Sequence, residues 1–255
     1  MAFSAHEVLE ESWTLSKRTY WAWWPVIIVA VVIPAILSII GSLFTGWAAN
    51  VDGFFGAVLG IIGAIFVIAY ILAGILMILG LFRNAFAVSG GERPSVARLF
   101  ETRHYWWFLV AGLIYIAMVT IGLFALILPG LIVAFMLALF PYALIGGQAN
   151  NGFSALATSW DRITSSFWKY IGLRIVLTGV VPALAIAAIV VLGVLGGGAA
   201  VSLDVFNGDA VGGILAVILG VIALVVGVFL YVLALIFTYV SDALAYRRLA
   251  PEWAE

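Results

Sequence analysis

The stretch KRTYWAWWPVIIVAVVIPAILSIIGSLF, residues 17–44, decides the fold of this chain. Two basic residues precede a tryptophan cluster, and a long run without any charge follows. Such a run is long enough to cross the roughly 30 Å hydrocarbon core of a bilayer as a helix. Tryptophan collects where hydrocarbon meets headgroups, and Lys and Arg collect on the cytoplasmic side. The stretch therefore predicts a transmembrane helix that starts at the cytoplasmic face.

Five further apolar runs give an all-α, polytopic membrane protein with six transmembrane helices. The predicted crossings are Trp21–Phe44, Phe54–Phe82, Tyr105–Leu128, Pro129–Ile145, Trp168–Leu195 and Val211–Tyr239. All eleven Lys and Arg residues lie on one side of this arrangement, whereas the turns on the other side carry only Asp52, Asp204 and Asp209. By the positive-inside rule, both the N and the C terminus are expected in the cytoplasm. The second and sixth helices are long enough to continue to Val88 and Tyr246.

Composition excludes the other broad classes of protein. The chain is 66% hydrophobic and only 9% charged, whereas soluble domains are about 25% charged. Its mean hydropathy is +1.26. The net charge of −1, with basic residues spread along one face, argues against a nucleic-acid partner. The absence of cysteine excludes disulfides and Cys-ligated metals. We expect residues 1–255 to form a single integral membrane domain.

Three amphipathic segments precede the first, third and fifth crossings, and we expect them to lie in the membrane interface. They are Ser4–Tyr20, Ser95–His104 and Ser154–Phe167. The first starts with Ser4 and Glu7 at capping-box spacing. Pro129, at the head of the fourth crossing, is a natural first helical residue.

The amphipathic segments also indicate an internal repeat. Ser12-Trp13 followed by Tyr20-Trp21 aligns with Ser159-Trp160 followed by Phe167-Trp168. The predicted unit is an interfacial helix plus a transmembrane hairpin, used three times over residues 1–88, 89–149 and 150–255. The alternative is that any amphipathic segment acquires aromatic residues where it meets a membrane helix.

Basic residues at headgroup level are the candidate functional residues, because they attract anionic lipid on the cytoplasmic face. They are Lys17, Arg18, Arg93, Arg98, Arg103, Arg162, Lys169 and Arg174. Arg174 is the deepest, and we expect it either to reach back to the headgroups or to pair with Asp161 or a lipid phosphate. Asp242 is interpreted as a helix-end partner of Arg247 and Arg248.

Reactive groups are scarce elsewhere. His6 with Glu10, and Glu101 with His104, each place two potential metal ligands on one helical face, which is half a site. The middle of each crossing lacks Asp, Glu and His, the residues that ion and proton pathways use. Small residues recur every seven positions from Gly213 to Ser241, which favours close helix packing over a conduit. We therefore expect no enzyme activity, no metal and no cofactor.

Three segments carry a resemblance to a known family. Residues 128–140 read LPGLIVAFMLALF, residues 151–160 read NGFSALATSW and residues 167–173 read FWKYIGL. This pattern resembles the six-helix bacterial membrane proteins around the membrane domain of glycerophosphodiester phosphodiesterases. In that group the activity belongs to a separate soluble domain with metal-binding carboxylates and histidines, which these 255 residues do not contain. The resemblance implies the architecture and a bacterial cytoplasmic (inner) membrane, and not the enzyme.

These observations favour a non-enzymatic membrane module that organises lipid or supports a partner, either another membrane protein or a second copy of the chain. The alternative is a transporter or channel for a weakly polar or lipid-like solute, since repeats of helices are common in transporters. A mid-depth cavity that reaches Tyr70, Tyr115, Thr178 or Tyr231 would favour transport.

The topology is testable with a reporter that works only outside the cytoplasm. Fusions near Asp52 or Asp209 should be active, and fusions near Glu92, Asn151 or Glu255 should be silent, because basic loops stay in the cytoplasm. The reverse pattern would overturn the orientation, and a mixed pattern would overturn the number of crossings.

Overall fold

The computed structural model describes residues 4–180, 183 and 210–249. These residues contain helices and no strand, which confirms the predicted all-α class. The elements are α1 Ala5–Ala48, α2 Gly53–Ser89, a 3-10 helix Val96–Phe100, α3 Tyr105–Ala125, α4 Ile127–Met136, α5 Phe140–Ile145, α6 Gly152–Thr164, α7 Phe167–Ile175, a π-helix Val176–Val180 and α8 Ala210–Leu249.

Five segments are long and apolar enough to cross a membrane. They are α1, α2, α3, the run Ile127–Ile145 that includes α4 and α5, and residues 225–249 of α8. The predicted extension of the second and sixth helices is confirmed, since α2 has 37 residues and α8 has 40. The predicted fifth crossing starts in α7, but most of it lies outside the described residues, as does the turn at residues 196–209.

The separate interfacial helix predicted over Ser4–Tyr20 is wrong. Those residues are the first turns of α1, a continuous helix of 44 residues and about 66 Å. Val8 and Ser12 are fully buried on the side of α1 that packs on α8. This buried face continues without a break into the rest of the helix. Ser4 caps the helix by accepting a hydrogen bond from the Glu7 N–H at 3.5 Å. The Glu7 carboxylate pairs with Arg248 in α8 and does not complete the capping box.

The other two amphipathic segments differ from each other. Over Ser95–His104 the helix is limited to the five-residue 3-10 helix, which Ser95 caps. The predicted segment Ser154–Phe167 corresponds to α6, which starts two residues early, at Gly152, because Asn151 and Ser154 form a capping box. α6 and α7 are separated by a turn, whereas α1 is continuous, so the threefold repeat stays a prediction.

The fourth crossing is broken. Its helix begins at Ile127 and not at Pro129, which lies in the first turn where its missing N–H is still harmless. The helix stops at Met136 and resumes at Phe140. Ser159 of α6 bridges the break, since its Oγ donates to the Met136 carbonyl at 2.8 Å and accepts from the Leu139 N–H at 3.2 Å.

Buried side chains concentrate at one end of the molecule, which we call the charged end because it holds Arg83, Arg103, Arg247 and Arg248. There the last turns of α2 and α8 pack with α5 and α6. α1 runs antiparallel to α8, with the Tyr20 hydroxyl donating to the Phe229 carbonyl at 3.0 Å. Away from this end, large apolar side chains face outward, as at Phe124, and provide the surface that lipid requires.

Gly80 lets the 3-10 helix lie directly on α2, and this contact is testable. A Cβ at Gly80 would lie 2.5 Å from the Leu99 Cα, so Gly80→Ala should destabilise the fold by roughly 1–3 kcal/mol. Gly74→Ala is the control on the same helix, because its Cβ would meet no atom within 4 Å. Thermal unfolding in detergent checks the pair, and equal midpoints for the two variants would contradict this packing.

Candidate functional site

An ion pair joins α7 to α8 inside the charged end. The Arg174 Nη1 donates to the Asp242 Oδ2, and the two side chains are only 16% and 5% exposed. The sequence-based pairing of Arg174 with Asp161 is therefore wrong, as is the pairing of Asp242 with Arg247 and Arg248, whereas the contact of Arg174 with lipid headgroups stays a prediction. A buried charge is stable only beside its counter-charge, so this contact constrains how α7 and α8 pack.

Four tyrosines surround the ion pair closely enough to interact with its charges. They are Tyr115, Tyr142, Tyr170 and Tyr239. The Tyr142 hydroxyl donates to the Tyr239 carbonyl at 2.8 Å, which ties α5 to α8. Asp242 Oδ1 has no hydrogen-bond partner within the described residues. The pair therefore retains an unused acceptor in a buried, polar-lined setting.

An apolar groove of about 350 Å³ lies beside the ion pair, between α2, α3 and the break before α5. Its lining residues are Ile75, Ile78, Phe82, Phe108, Leu109, Gly112, Leu113, Tyr115, Ile116, Ala138, Phe140, Pro141 and Arg174. Leu113 and Ile116 are 61% and 60% exposed, so the groove opens sideways onto the lipid-facing surface. Among the lining residues that the structure describes, Arg174 is the one that carries a charge. The groove thus fits an apolar chain with one polar group near its inner wall.

A second cavity, of about 320 Å³, lies at the charged end, and we call it the arginine pocket. It is lined by Arg83, Phe86, Ala87, Glu92, Arg98, Glu101, Arg103, His104, Ile145 and Arg247. Four arginines and two glutamates give it a formal charge of +2 when His104 is neutral. Sequence reasoning placed Arg98 and Arg103 among its candidates and missed Arg83 and Arg247.

Most of the arginine pocket is held rigidly by its own contacts. Arg83 is buried and donates to the carbonyls of Glu101 and Arg103, so it fixes the loop before α3. Arg247 donates to the Phe86 carbonyl at 3.1 Å, and its guanidinium carbon lies 4.3 Å from the centre of the Phe86 ring. Arg98 pairs with Glu92. These contacts preorganise a positive wall.

Arg103 and His104 form the open rim of the arginine pocket. The Arg103 side chain is exposed and makes no hydrogen bond or ion pair to the part of the chain that the structure describes. His104 has a left-handed backbone, with φ of 63°, immediately before α3. Burial, together with the charges of Arg103 and Arg83, lowers the pKa of His104. Burial is the larger cause, and both burial and the neighbouring positive charges disfavour the protonated imidazole.

The remaining five basic candidates lie outside the arginine pocket. Lys17 lies over the Trp13 ring at 5.1 Å, and Arg162 lies over the Tyr246 ring at 4.2 Å. Arg162 also donates to Gln148. The other three, Arg18, Arg93 and Lys169, are exposed. Their proposed contact with lipid headgroups stays a prediction.

The two possible half-sites for a metal remain incomplete. His6 Nδ1 lies 4.0 Å from the Glu10 carboxylate on an exposed face of α1. Glu101 and His104 both line the arginine pocket, where Arg83 and Arg103 lie beside them. Across residues 4–180 and 210–249 no group of three or more Asp, Glu and His side chains is close enough to hold a metal ion.

Comparison with known protein families, with curated proteins and with solved structures gave no match to this chain.

The ion pair predicts a contrast between two aspartates. Asp242→Asn should lower the free energy of unfolding by roughly 3–5 kcal/mol, because it leaves Arg174 as a buried charge without its counter-charge. Asp161→Asn is the control, since Asp161 is exposed and should change stability by less than about 0.5 kcal/mol. Unfolding in detergent measures both. A larger effect at Asp161 would restore the sequence-based pairing.

Proposed function

We propose that this protein is a non-enzymatic membrane module that holds lipid and in that way organises the bilayer around it or supports a membrane partner. The observation that carries the proposal is the apolar groove, with Arg174 in its wall and exposed apolar side chains at its mouth. A ligand that enters from the side must be soluble in the bilayer. Such a ligand is a lipid chain or a solute that resembles one.

The volume of the groove suits a chain and not a whole phospholipid. At about 350 Å³ it falls at the lower end of the range for small-molecule sites. The lining offers a narrow apolar slot with Tyr115 and Arg174 as its polar residues. A single acyl chain would fill the slot while the rest of the lipid stays in the bilayer.

The proposal includes a six-crossing arrangement in the bacterial cytoplasmic membrane, with both termini in the cytoplasm. Five apolar helices, the one-sided distribution of Lys and Arg, and the resemblance to the phosphodiesterase-associated membrane domains support it. In this orientation the charged end meets the anionic cytoplasmic leaflet, where each basic residue near the surface contributes about 1 kcal/mol of attraction. The apolar outer surface offers room for a membrane protein partner or a second copy.

Transport of a lipid-like solute is the second candidate. It is favoured by Tyr115, one of the residues whose presence in a cavity was expected for a transporter, together with Arg174. Tyr70 and Tyr231 are exposed on the outer surface and do not line the groove, and the side chain of Thr178 lies outside the described residues. A groove lined in this way suits an apolar solute better than a hydrated one.

Filling the groove tests both functions. A Cβ at Gly112 meets no atom within 4 Å, so Gly112→Leu places a side chain in the groove without a clash. In nanodiscs of zwitterionic phosphatidylcholine with a photoactivatable acyl chain, labelling of the buried lining residues Phe108 and Phe140 should be strong in the native protein and largely lost in Gly112→Leu. Peptide mass spectrometry locates the label.

Gly46→Leu is the matched control, because Gly46 is also unobstructed but lies at the far end of α1. It should leave labelling unchanged. Labelling spread evenly over the outer surfaces of the helices, or equal in all three proteins, would contradict the groove as a lipid site. Solute flux into liposomes that Gly112→Leu abolishes would favour transport over a static module.

A further inference from the structure

We propose that the arginine pocket binds a phosphate group, carried either by an anionic lipid or by a free phosphate. The inference deepens the proposed function and rests on it in one respect, since a lipid held by its chain in the groove presents its headgroup at the charged end. Its basis is a separate set of residues. None of the residues that line the pocket lines the groove.

The chemistry of the pocket suits an oxyanion with oxygen atoms on several sides, such as a phosphate. Guanidinium groups present planar forks of N–H donors that match the oxygen atoms of a phosphate, and they do so from several directions at once. Arg103 and His104 approach from the start of α3 and Arg247 from the end of α8. Donors from two separate elements can contact oxygen atoms on different sides of a tetrahedral oxyanion.

The glutamates in the lining do not cancel this preference. Glu92 is occupied by Arg98, and the Glu101 carboxylate lies 3.6 Å from the Arg83 Nε. The positive charge at Arg103 is therefore not neutralised by a carboxylate of the described residues. An incoming phosphate meets a donor that is already exposed, beside side chains already fixed by Phe86 and by backbone carbonyls.

The pocket and the groove lie along the same two helices. Phe82 lines the groove and Arg83, the next residue of α2, lines the pocket; Phe108 lines the groove and His104, one turn earlier at the start of α3, lines the pocket. An acyl chain in the groove and a phosphate in the pocket thus have the order that a phospholipid requires. A free phosphate uses the pocket alone.

The experiment measures binding of two probes to the full-length, delipidated protein in detergent. One is phosphatidylglycerol, counted by native mass spectrometry, and the other is inorganic phosphate, followed by the imidazole NMR signals of His104. His6→Gln in all samples leaves His104 as the single histidine. Addition of either probe should move the His104 signals if its phosphate enters the pocket.

Arg103→Gln should weaken binding roughly ten-fold to a hundred-fold, the change expected for one charge-assisted hydrogen bond. Arg93→Gln is the matched control, because Arg93 is also exposed, lies in the same connection and does not line the pocket. It should leave binding unchanged. Arg103→Lys should retain part of the affinity, since it keeps the charge but loses the fork.

The outcomes separate the sources of the phosphate. An Arg103-dependent response to phosphatidylglycerol alone identifies a lipid headgroup, and a response to inorganic phosphate alone identifies a free anion. Equal losses for Arg103→Gln and Arg93→Gln would show diffuse surface attraction and overturn the inference, as would a silent His104 with both probes. Because the groove is tested with zwitterionic lipid and Gly112→Leu, either proposal can fail while the other stands.

Discussion

The contact between Arg174 and Asp242 is the constraint on which the rest of the charged end depends. Each side chain is too buried to remain charged alone, so α7 and α8 are compelled to stay together. α8 also contacts two further helices. In its last turns, Arg248 pairs with Glu7 and Glu11 of α1. Arg247 donates a hydrogen bond to the Phe86 carbonyl of α2. Through these contacts α8 joins α7, α1 and α2 at the charged end.

The parts of the fold that follow from hydrophobicity alone were accessible from the sequence. The positions of the long apolar helices, the all-α class and the overrun of α2 and α8 are consequences of run length, which is a local property. The start of α6 at Gly152 is also set locally, by the capping box of Asn151 and Ser154, but the prediction placed it two residues later. The continuity of α1 was missed because an amphipathic pattern in its first turns is expected for two different structures. One is a helix in the membrane interface, and the other is a helix packed on α8. Only the contact with α8 distinguishes them.

The candidate site was harder to predict, since it is built from distant pairs. Asp242 is separated from Arg174 by 68 positions. Arg247 is about a hundred positions or more from the other residues that line the arginine pocket, which lie between Arg83 and Ile145. From the sequence, Asp242 was paired with the nearby arginines Arg247 and Arg248. In the structure these two arginines contact other helices. The useful signal was the length of α8, because its last turns extend beyond the apolar run and bring Asp242, Arg247 and Arg248 to the other helices.

The break before α5 has a consequence for biosynthesis. A membrane insertion machinery meets residues 105–145 well before residue 159, so at that moment the Met136 carbonyl and the Leu139 N–H lack the hydroxyl that later satisfies them. Unsatisfied backbone groups are costly in hydrocarbon. The third and fourth helices are thus an incomplete unit on the nascent chain, and they reach their final geometry only once α6 has left the ribosome and folded back beneath them.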